Sequence, residues 1–282
     1  MAGRLDVVAT PIGNLSDLSR RAQETLAQAA LIAAEDTRHT IQLLNAIGVT
    51  AKLVSLHDYN EQHRIDTLIE QLRSGKDIAL VSDAGTPLLS DPGFALVRAA
   101  VAAGIEVRAI PGPSALTAAL SIAGLPVDRF VFEGFLSSRQ TERRAALARL
   151  ANEPRTLVFF EAPHRIVATL REMAQIFGDE RQAVVARELT KLHETIYRGT
   201  LGELCVRAST DTDMARGEIT LLIGGAPKDG SDAGNSELLA RALQLLLQEL
   251  PPARAAAIAS QLAGCTRSEA YDLALRMRPK LR

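Results

Sequence analysis

A twelve-residue segment, SDAGTPLLSDPG at residues 82–93, combines the residue types that a loop needs to hold a small polar molecule. Gly85 allows a ligand to approach the backbone closely, and Pro87 restricts the backbone conformation. Asp83 and Thr86 add side-chain oxygens that accept hydrogen bonds. A loop that only reversed the direction of the chain could be shorter and plainer, so this composition indicates a binding site.

Three further segments share this character, because each is rich in small or polar residues. They are ATPIGNLSDLS at residues 9–19, AEDTRHT at residues 34–40 and PGPSA at residues 111–115. The first and third follow apolar runs, whereas AEDTRHT is predicted to end a helix. Ligands bind open α/β sheets at the carboxyl ends of the parallel strands. Each loop alone could be a tight connection, but three that follow strands at one sheet edge favour a ligand site.

Two segments in the second half of the chain concentrate side chains that could transfer protons or contact phosphate. They are FFEAPHR at residues 159–165, which follows an apolar run, and ARELTKLHE at residues 186–194. The candidate residues are Glu161, His164, Arg165, Arg187, Glu188, Lys191 and His193. A single charged residue usually lies on the solvated surface, but clustering around two strand ends favours a functional role.

Two stretches are locally basic, although the net charge of the whole chain is −1. Residues 137–155 contain five Arg and two Glu, and residues 237–282 contain seven Lys or Arg and four Asp or Glu. A nucleic-acid surface would therefore be a local patch. The helix–turn–helix spacing of residues 237–282 suits nucleic acid, and a small helical packing module explains it equally well.

The elements that would position these residues alternate through the first half of the chain. Apolar runs predict strands at residues 5–9, 52–56, 77–81 and 106–110. Helical patterns predict helices at residues 20–35, 64–73, 94–103 and 113–124. Apolar strands separated by helices predict an α/β fold with a mostly parallel sheet that is covered on both faces.

The second half of the chain has a different pattern of predicted elements, with five strand-like runs and shorter connections between them. Strands are predicted at residues 130–135, 156–162, 183–188, 194–199 and 218–224, and helices at 141–151 and 164–177. The short connections predict a mixed or antiparallel sheet. Three short helices are predicted in residues 237–282, with Thr266 and Glu269 as a capping box. The predicted organisation is an α/β domain at 1–124, a second α/β domain at 125–226, a linker at 227–236 and a helical module at 237–282.

Composition excludes several classes of protein. The chain has 282 residues, 47% of them hydrophobic and 23% charged, which is typical of globular proteins. Cys205 and Cys265 are far apart, which argues against a disulfide scaffold or a zinc site and fits a reducing cytoplasm. No apolar run approaches the roughly 18 residues of a membrane span. No metal site is predicted, although a loosely held Mg²⁺ would leave little trace in a sequence.

Common nucleotide and hydrolase motifs are also absent from the sequence. No two glycines are spaced Gly-x-Gly, so the dinucleotide-binding fingerprint is excluded. The phosphate-binding P-loop, the G-x-S-x-G nucleophile elbow and the H-E-x-x-H zinc motif do not occur either.

Taken together, the quoted segments resemble one bacterial family of the tetrapyrrole methylase superfamily, the small-subunit (16S) ribosomal RNA cytidine 2′-O-methyltransferases. The segments that match in order and approximate spacing are ATPIGNLSDLS, AAEDTR, SDAGTPLLSDPG, IPGPSA, FFEAPHR and ARELTKLHE. The resemblance covers roughly residues 5–225, and the tail is similar to the family's C-terminal helix–turn–helix appendage. It implies two α/β domains with S-adenosylmethionine in the cleft between them, in a cytoplasmic homodimer that methylates a cytidine ribose of ribosomal RNA.

The resemblance also implies roles for individual residues. The implied cofactor contacts in the first domain are Pro11, Asp83, Gly85, Thr86, Pro87, Leu89, Ser114 and Ala115. The second domain would add Phe160, Glu161, Ala162 and Thr220. The ribose hydroxyl must lose a proton, and the candidate acceptors are Asp36, Glu161 and Glu188. The candidate RNA contacts are Arg38, Arg165 and Lys191, and Arg139, Arg143 and Arg144 of the basic stretch.

Two other functions remain open at this point. A methyltransferase of the same superfamily could act on a tetrapyrrole or another small molecule. A non-catalytic RNA- or ribosome-binding protein could use the cleft only as a scaffold. The helical tail and the basic stretch favour an RNA substrate, because a small-molecule enzyme has little need of either. The choice between free RNA and an assembled subunit, and any need for a second protein, also stays open.

Overall fold

The structure is a computed structural model that describes residues 2–57, 61–227 and 231–277. The chain divides into two compact units, Met1–Gly224 and Gly225–Arg282. The first unit contains two five-stranded sheets. The predicted domain boundary at residue 124 falls between the strands of these two sheets, and the division of the first unit into two domains stays a prediction.

The first sheet is parallel, as predicted, with strand order β3-β2-β4-β1-β5. Its strands are β1 (Arg4–Val8), β2 (Leu31–Ala34), β3 (Leu53–Ser55), β4 (Ile78–Val81) and β5 (Glu106–Ile110). The helices of this half are α1 (Arg20–Gln28), α2 (Thr37–Ala46), α3 (Glu61–Arg73), α4 (Phe94–Ala102) and α5 (Ala115–Ile122). Successive residues of a strand face opposite sides. Leu80 and Val81 accordingly enter two different apolar clusters, so both faces are covered.

One predicted element is wrong, because residues 20–35 do not form a single helix. Helix α1 ends at Gln28, and strand β2 follows and lies between β3 and β4. Ile32 and Ala33 are fully buried in the sheet, and pairing on both sides outweighs the helix propensity of this Ala-rich run. Residues 34–40 therefore follow a strand, and helix α2, which was not predicted, begins where the Asp36 carboxylate accepts a hydrogen bond from Arg38 N.

The second sheet is mixed, as predicted, with strand order β6-β7-β10-β8-β9. Its strands are β6 (Phe130–Phe135), β7 (Thr156–Glu161), β8 (Gln182–Arg187), β9 (Thr195–Thr200) and β10 (Ile219–Ile223). Only β6 and β7 pair in parallel among them. The helices are α6 (Gln140–Leu150), α7 (Ile166–Phe177) and α8 (Leu201–Thr210). Helix α8 was not predicted, although Thr200 and Glu203 form a capping box at its start.

The second unit contains the three predicted helices, α9 (Ser231–Leu246), α10 (Pro252–Ala263) and α11 (Arg267–Met277). Its core consists largely of buried alanines, which allow close helix contacts. The predicted capping box is confirmed, because Thr266 N donates to Glu269 Oε2 at 2.9 Å. Helix α9 begins inside the predicted linker at 227–236, of which residues 228–230 lie outside the described residues. No helix in the described ranges is long and apolar enough to cross a membrane.

Candidate functional site

A cleft of about 380 Å³ lies between the carboxyl edge of the first sheet and strands β7 and β10 of the second. Ile12, residues 83–86 and residues 114–115 form the wall from the first sheet, and residues 160–163 and 217–220 form the opposite wall. The loops that follow β1, β4 and β5 therefore converge on one site, as the switch-point rule for α/β sheets requires.

Two backbone hydrogen bonds and one from a side chain fix these three loops to one another. Thr10 N donates to Gly85 O at 2.8 Å, and Gly85 N donates to Thr10 O at 3.0 Å. Thr86 Oγ1 donates to Pro113 O at 3.0 Å. Gly85 has a φ of +81°, and a Cβ at this position would lie 3.3 Å from a methyl group of Ile12. The loop conformation at the cleft wall therefore depends on glycine.

Left-handed backbone at residues other than glycine occurs in the two loops that border the cleft. Leu88 and Ser90, both with a φ of 74°, lie in the loop after β4, and Glu188 (52°) and Thr190 (65°) lie in the loop after β8. No other such residue occurs in the described part of the chain. Strained backbone of this kind persists where the surrounding structure fixes it and often marks functional sites.

Asp36, Arg38, His39 and Asp83 form an ion-pair network at the rim of the cleft. Asp36 N donates to Asp83 Oδ1 at 2.9 Å, and His39 Nδ1 lies 3.0 Å from Asp83 Oδ2. The hydrogen bonds from Arg38 hold the pKa of the Asp36 carboxyl well below its usual range. Asp83 raises the pKa of His39 in the same way. Ligand atoms of Asp36, His39 and Asp83 lie within 4.8 Å of one another, but Arg38 already neutralises Asp36.

Asp91 also lines the cleft and was not among the predicted site residues. Burial, together with the nearby carboxylates of Glu35 and Asp83, raises the pKa of its carboxyl to about 6, although a hydrogen bond with Ser82 lowers it. The only sequence signal for Asp91 is its place in the segment SDAGTPLLSDPG, in which Asp83 is the acid predicted to contact the cofactor.

Glu161 is buried at the end of β7, and both of its carboxylate oxygens have partners. Oε1 accepts from Ala162 N at 2.7 Å, and Oε2 accepts from Thr169 Oγ1 at 2.5 Å. Arg165 Nε lies 2.8 Å from Oε1, an ion pair that does not meet hydrogen-bond geometry. Arg165 Nη2 donates to Leu136 O at 2.8 Å. Glu161 therefore links the cleft wall to helix α7 and to the end of β6.

Glu188 and Lys191 join the loop after β8 to the first sheet. Glu188 Oε1 accepts from Lys191 Nζ at 2.8 Å and from Glu218 N at 2.9 Å. Burial raises the pKa of the Glu188 carboxyl, but these two hydrogen bonds outweigh burial, and the pKa lies below its usual range. The stem of Lys191 covers Gly13 of the loop after β1, where a side chain on Gly13 would collide with it. The two halves of the first unit therefore touch at this point.

The structure brings most of the predicted cofactor contacts together. The predicted residues that line the cleft are Asp83, Gly85, Thr86, Leu89, Ser114, Ala115, Phe160, Glu161, Ala162 and Thr220. Pro11 and Pro87 lie in the loops that border the cleft but do not line it.

The predicted RNA contacts have different environments. Arg38, Arg139 and Arg144 are exposed. Arg143 is only 6% exposed, and its guanidinium donates to both carboxylate oxygens of Glu172 at 2.7 and 2.9 Å. This burial argues against the predicted RNA contact of Arg143, because its guanidinium is bound to Glu172 and to the carbonyls of Ser137 and Ser138 and is shielded from a phosphate outside.

Arg187 also has a structural role, in contrast to its predicted role as a phosphate or proton-transfer residue. It is buried, and it donates to Arg216 O at 2.8 Å and to His193 O at 2.9 Å. His193 and His164 are exposed at the surface.

The fold and the cleft define a two-sheet α/β protein with a cleft between its sheets. Residues 4–205 match the family model described as Tetrapyrrole (Corrin/Porphyrin) Methylases. The chain belongs to the tetrapyrrole methylase family. Residues 232–278 match a second model, described as RsmI C-terminal HTH domain.

Similar proteins from bacteria match almost the whole chain, and each is named ribosomal RNA small subunit methyltransferase I. The protein from Xylella fastidiosa Temecula1 is 52% identical over 95% of this chain and 98% of its own. The one from Pseudomonas aeruginosa is 50% identical over 99% of both chains. The one from Escherichia coli O157:H7 is 47% identical over 97% of this chain and 95% of its own.

Solved structures of similar fold have lower sequence identity and show the fold alone. The methyltransferase CobJ has a TM-score of 0.60 at 22% identity and covers 80% of this chain and 95% of its own. Diphthine synthase has a TM-score of 0.59 at 19% identity and covers 79% and 90%. Uroporphyrin-III C-methyltransferase from Thermus thermophilus, in complex with S-adenosyl homocysteine, has a TM-score of 0.55 at 18% identity and covers 79% and 97%.

Proposed function

We propose that this protein transfers a methyl group from S-adenosylmethionine to the ribose 2′-hydroxyl of a cytidine in small-subunit ribosomal RNA. The observation that carries this proposal is the full-length similarity, at 47–52% identity, to proteins named ribosomal RNA small subunit methyltransferase I. The similarity includes the helical tail, whereas the likeness to CobJ covers 80% of this chain. An RNA substrate therefore explains more of the chain than a small-molecule substrate does.

The chemistry of the cleft fits S-adenosylmethionine, which carries a sulfonium and an ammonium group. Five acidic residues and no basic residue are among the described residues that line it. The acidic residues are Glu35, Asp83, Asp91, Glu161 and Glu218. Such a wall favours a cationic ligand. Apolar side chains of the lining, such as Ile12, Leu89 and Phe160, would cover the flat adenine.

When bound, S-adenosylmethionine supplies a methyl group on a positively charged sulfur. The fixed loops after β1, β4 and β5 would hold the ligand in one orientation, and alignment with the ribose oxygen can supply much of the rate enhancement. The ribose hydroxyl must also lose its proton. Asp36, Glu161 and Glu188 are the proposed candidates to accept it.

Of the three candidates only Glu161 lines the cleft, whereas Glu188 lies beside the lining residues Leu189 and Gly217. The hydrogen-bond partners of the three carboxylates nevertheless favour Glu188. Both oxygens of Asp36 accept from Arg38, and both oxygens of Glu161 have partners. Within the part of the chain that the structure describes, Glu188 accepts hydrogen bonds only at Oε1, which leaves Oε2 available. Glu188 is ionised at neutral pH, as a proton acceptor must be, but its lowered pKa also makes it a weaker base than an ordinary Glu.

The proposed RNA surface consists of exposed or half-buried cations of the first unit, which would make the phosphate contacts that position RNA. Its members are Arg38, Arg139, Arg144, Arg165 and Lys191. A homodimer in the cytoplasm, with domains at 1–124 and 125–226 that close on the cofactor, is part of the same proposal.

The test is transfer of radiolabelled methyl from S-adenosylmethionine to ribosomal subunits from a strain that lacks this protein, followed by digestion to nucleosides. Label in 2′-O-methylcytidine supports the proposal. Cofactor binding without label in RNA contradicts it and favours a small-molecule methylase or a binding protein. Glu188→Gln should lower kcat at least a hundredfold with unchanged cofactor affinity, and Glu194→Gln in the same loop is the control.

A further inference from the structure

Phe135 is an exposed aromatic residue inside the cleft that none of the interactions above explains. Its ring lines the cleft and is 59% exposed. The chain contains only seven Phe and no Trp, and leaving such a ring in water forgoes the free energy of its burial.

A local irregularity of β6 displays this ring. The pairing of β6 with β7 shifts register between Phe132 and Gly134, and bulges of this kind re-aim side chains beside active sites. Gly134 has a φ of +64°, and a Cβ there would lie 2.7 Å from Ser90 Oγ in the loop after β4. Both the backbone conformation and the close contact therefore require glycine immediately before Phe135.

The ring is also supported from within the second sheet. Its centroid lies 5.5 Å from that of Phe160 in a tilted arrangement, and Phe160 in turn makes an edge contact with Phe132 at 5.0 Å. These contacts support the ring of Phe135 on one side, and its exposed surface remains open to the cleft.

We propose that Phe135 stacks on the base of the nucleotide that receives the methyl group, an inference that rests on the function proposed above. A ribose that enters a cleft brings its base out of the RNA stack, and unstacked bases are commonly held on aromatic side chains. An aromatic ring can stack on any base, so Phe135 would position the nucleotide without selecting its identity. The selection of cytidine would come from polar groups of the protein that form hydrogen bonds with the base.

The test is Phe135→Ala, with Phe130→Ala, a partly exposed residue of the same strand, as the matched control. We expect KM for the ribosomal subunit to rise about tenfold, the order produced by loss of one base–aromatic stack. The dissociation constant for S-adenosylmethionine, measured by calorimetry, should stay within twofold. Phe135→Trp should have a KM close to that of the wild type, because it keeps an aromatic ring. Phe135→Leu keeps apolar area without the ring and should have the raised KM of Phe135→Ala.

Two results would overturn the inference. A tenfold loss of affinity for S-adenosylmethionine in Phe135→Ala would indicate that the ring contacts the cofactor. An unchanged KM for the ribosomal subunit would indicate that the ring does not contact the RNA. Retention of RNA on filters in the presence of S-adenosylhomocysteine separates the two proposals. If the wild-type protein transfers no methyl group to RNA, the proposed function is refuted. In that case the stack is tested by RNA binding alone, and it is also refuted if the wild type and Phe135→Ala bind RNA with equal affinity.

Discussion

Replacement of Glu161 tests whether this buried carboxylate is a structural anchor of the cleft wall. Its side chain is 1% exposed and that of its partner Arg165 is 18% exposed. Glu161→Ala would leave the Arg165 guanidinium without its counter-ion and the fully buried Thr169 hydroxyl without its acceptor. Glu161→Gln keeps an oxygen for Thr169 but removes the charge.

The expected loss of stability follows from these contacts. Removal of one partner of a buried ion pair costs about 3–5 kcal/mol, and an orphaned hydroxyl costs about 1–3 kcal/mol. The two costs share one carboxylate and do not add, and the partial exposure of Arg165 lowers the first. We expect about 4 kcal/mol for Glu161→Ala and about 2 kcal/mol for Glu161→Gln. For a unit of this size, 4 kcal/mol corresponds to a Tm lower by about 8–16 °C.

The assay is urea and thermal unfolding of the full chain, with methyl transfer measured below the transition. Glu24→Ala is the control, because Glu24 forms an exposed pair with Arg20 that should contribute under about 1 kcal/mol. A Glu161→Ala protein as stable as Glu24→Ala would refute the anchor. Glu161→Gln should keep methyl transfer within tenfold, and its abolition without a loss of stability would identify Glu161 as the proton acceptor instead.

Three further predictions concern the cleft and the basic stretch. Gly85→Ala should weaken cofactor binding at least tenfold in calorimetry, because its φ of +81° is strained for any residue with a side chain. Cofactor affinity should fall as the pH drops through about 6, because Asp91 then gains a proton and no longer attracts a cation. Asp91→Asn should bind more weakly and should lose this step near pH 6, while any change caused by His39, whose pKa is raised by Asp83, should remain. Arg143→Ala should cost about 3–5 kcal/mol in urea unfolding by leaving Glu172 buried and unpaired, whereas Arg144→Ala should leave stability unchanged and weaken RNA binding.

The sequence predicted the positions of the loops better than the elements between them. Loops 9–19, 82–93 and 111–115 were predicted at one sheet edge because their Gly, Pro and polar residues interrupt strongly apolar runs, and all three border the cleft. The mixed second sheet followed from short connections in the same way. Gly and Pro interrupt helices and strands through their own backbone preferences, so the loops that they mark can be predicted without knowledge of the tertiary structure.

Strand β2 could not be predicted from local pattern. Its sequence, LIAA, continues the Ala-rich run of α1 without Gly or Pro at the break, and only pairing with β3 and β4 makes it a strand. Helix α8 is different, because the spacing of Thr200 and Glu203 is a signal for a capping box that could have located its start.

Side-chain roles needed the structure for a related reason. Arg143 and Arg144 are neighbours in a basic stretch, and the sequence cannot tell which of them faces the core. Glu172, the partner of Arg143, is on helix α7, far along the chain. The sequence shows Phe135 only as part of a strand, whereas the register shift at Gly134 and the nearby Ser90, which leaves no room for a side chain there, are seen only in the structure.

Strand β10 is the last strand of the first unit to be synthesised, yet it lies in the middle of its sheet between β7 and β8. Until Ile219–Ile223 leaves the ribosome, β7 and β8 each have one edge without a partner strand, and Thr220 is missing from the cleft. At 5–20 residues per second, the interval between completion of β8 and of β10 is about 2–7 s. During that interval a growing chain exposes two apolar strand edges to its neighbours on a polysome, and no ligand of the cleft can yet protect it.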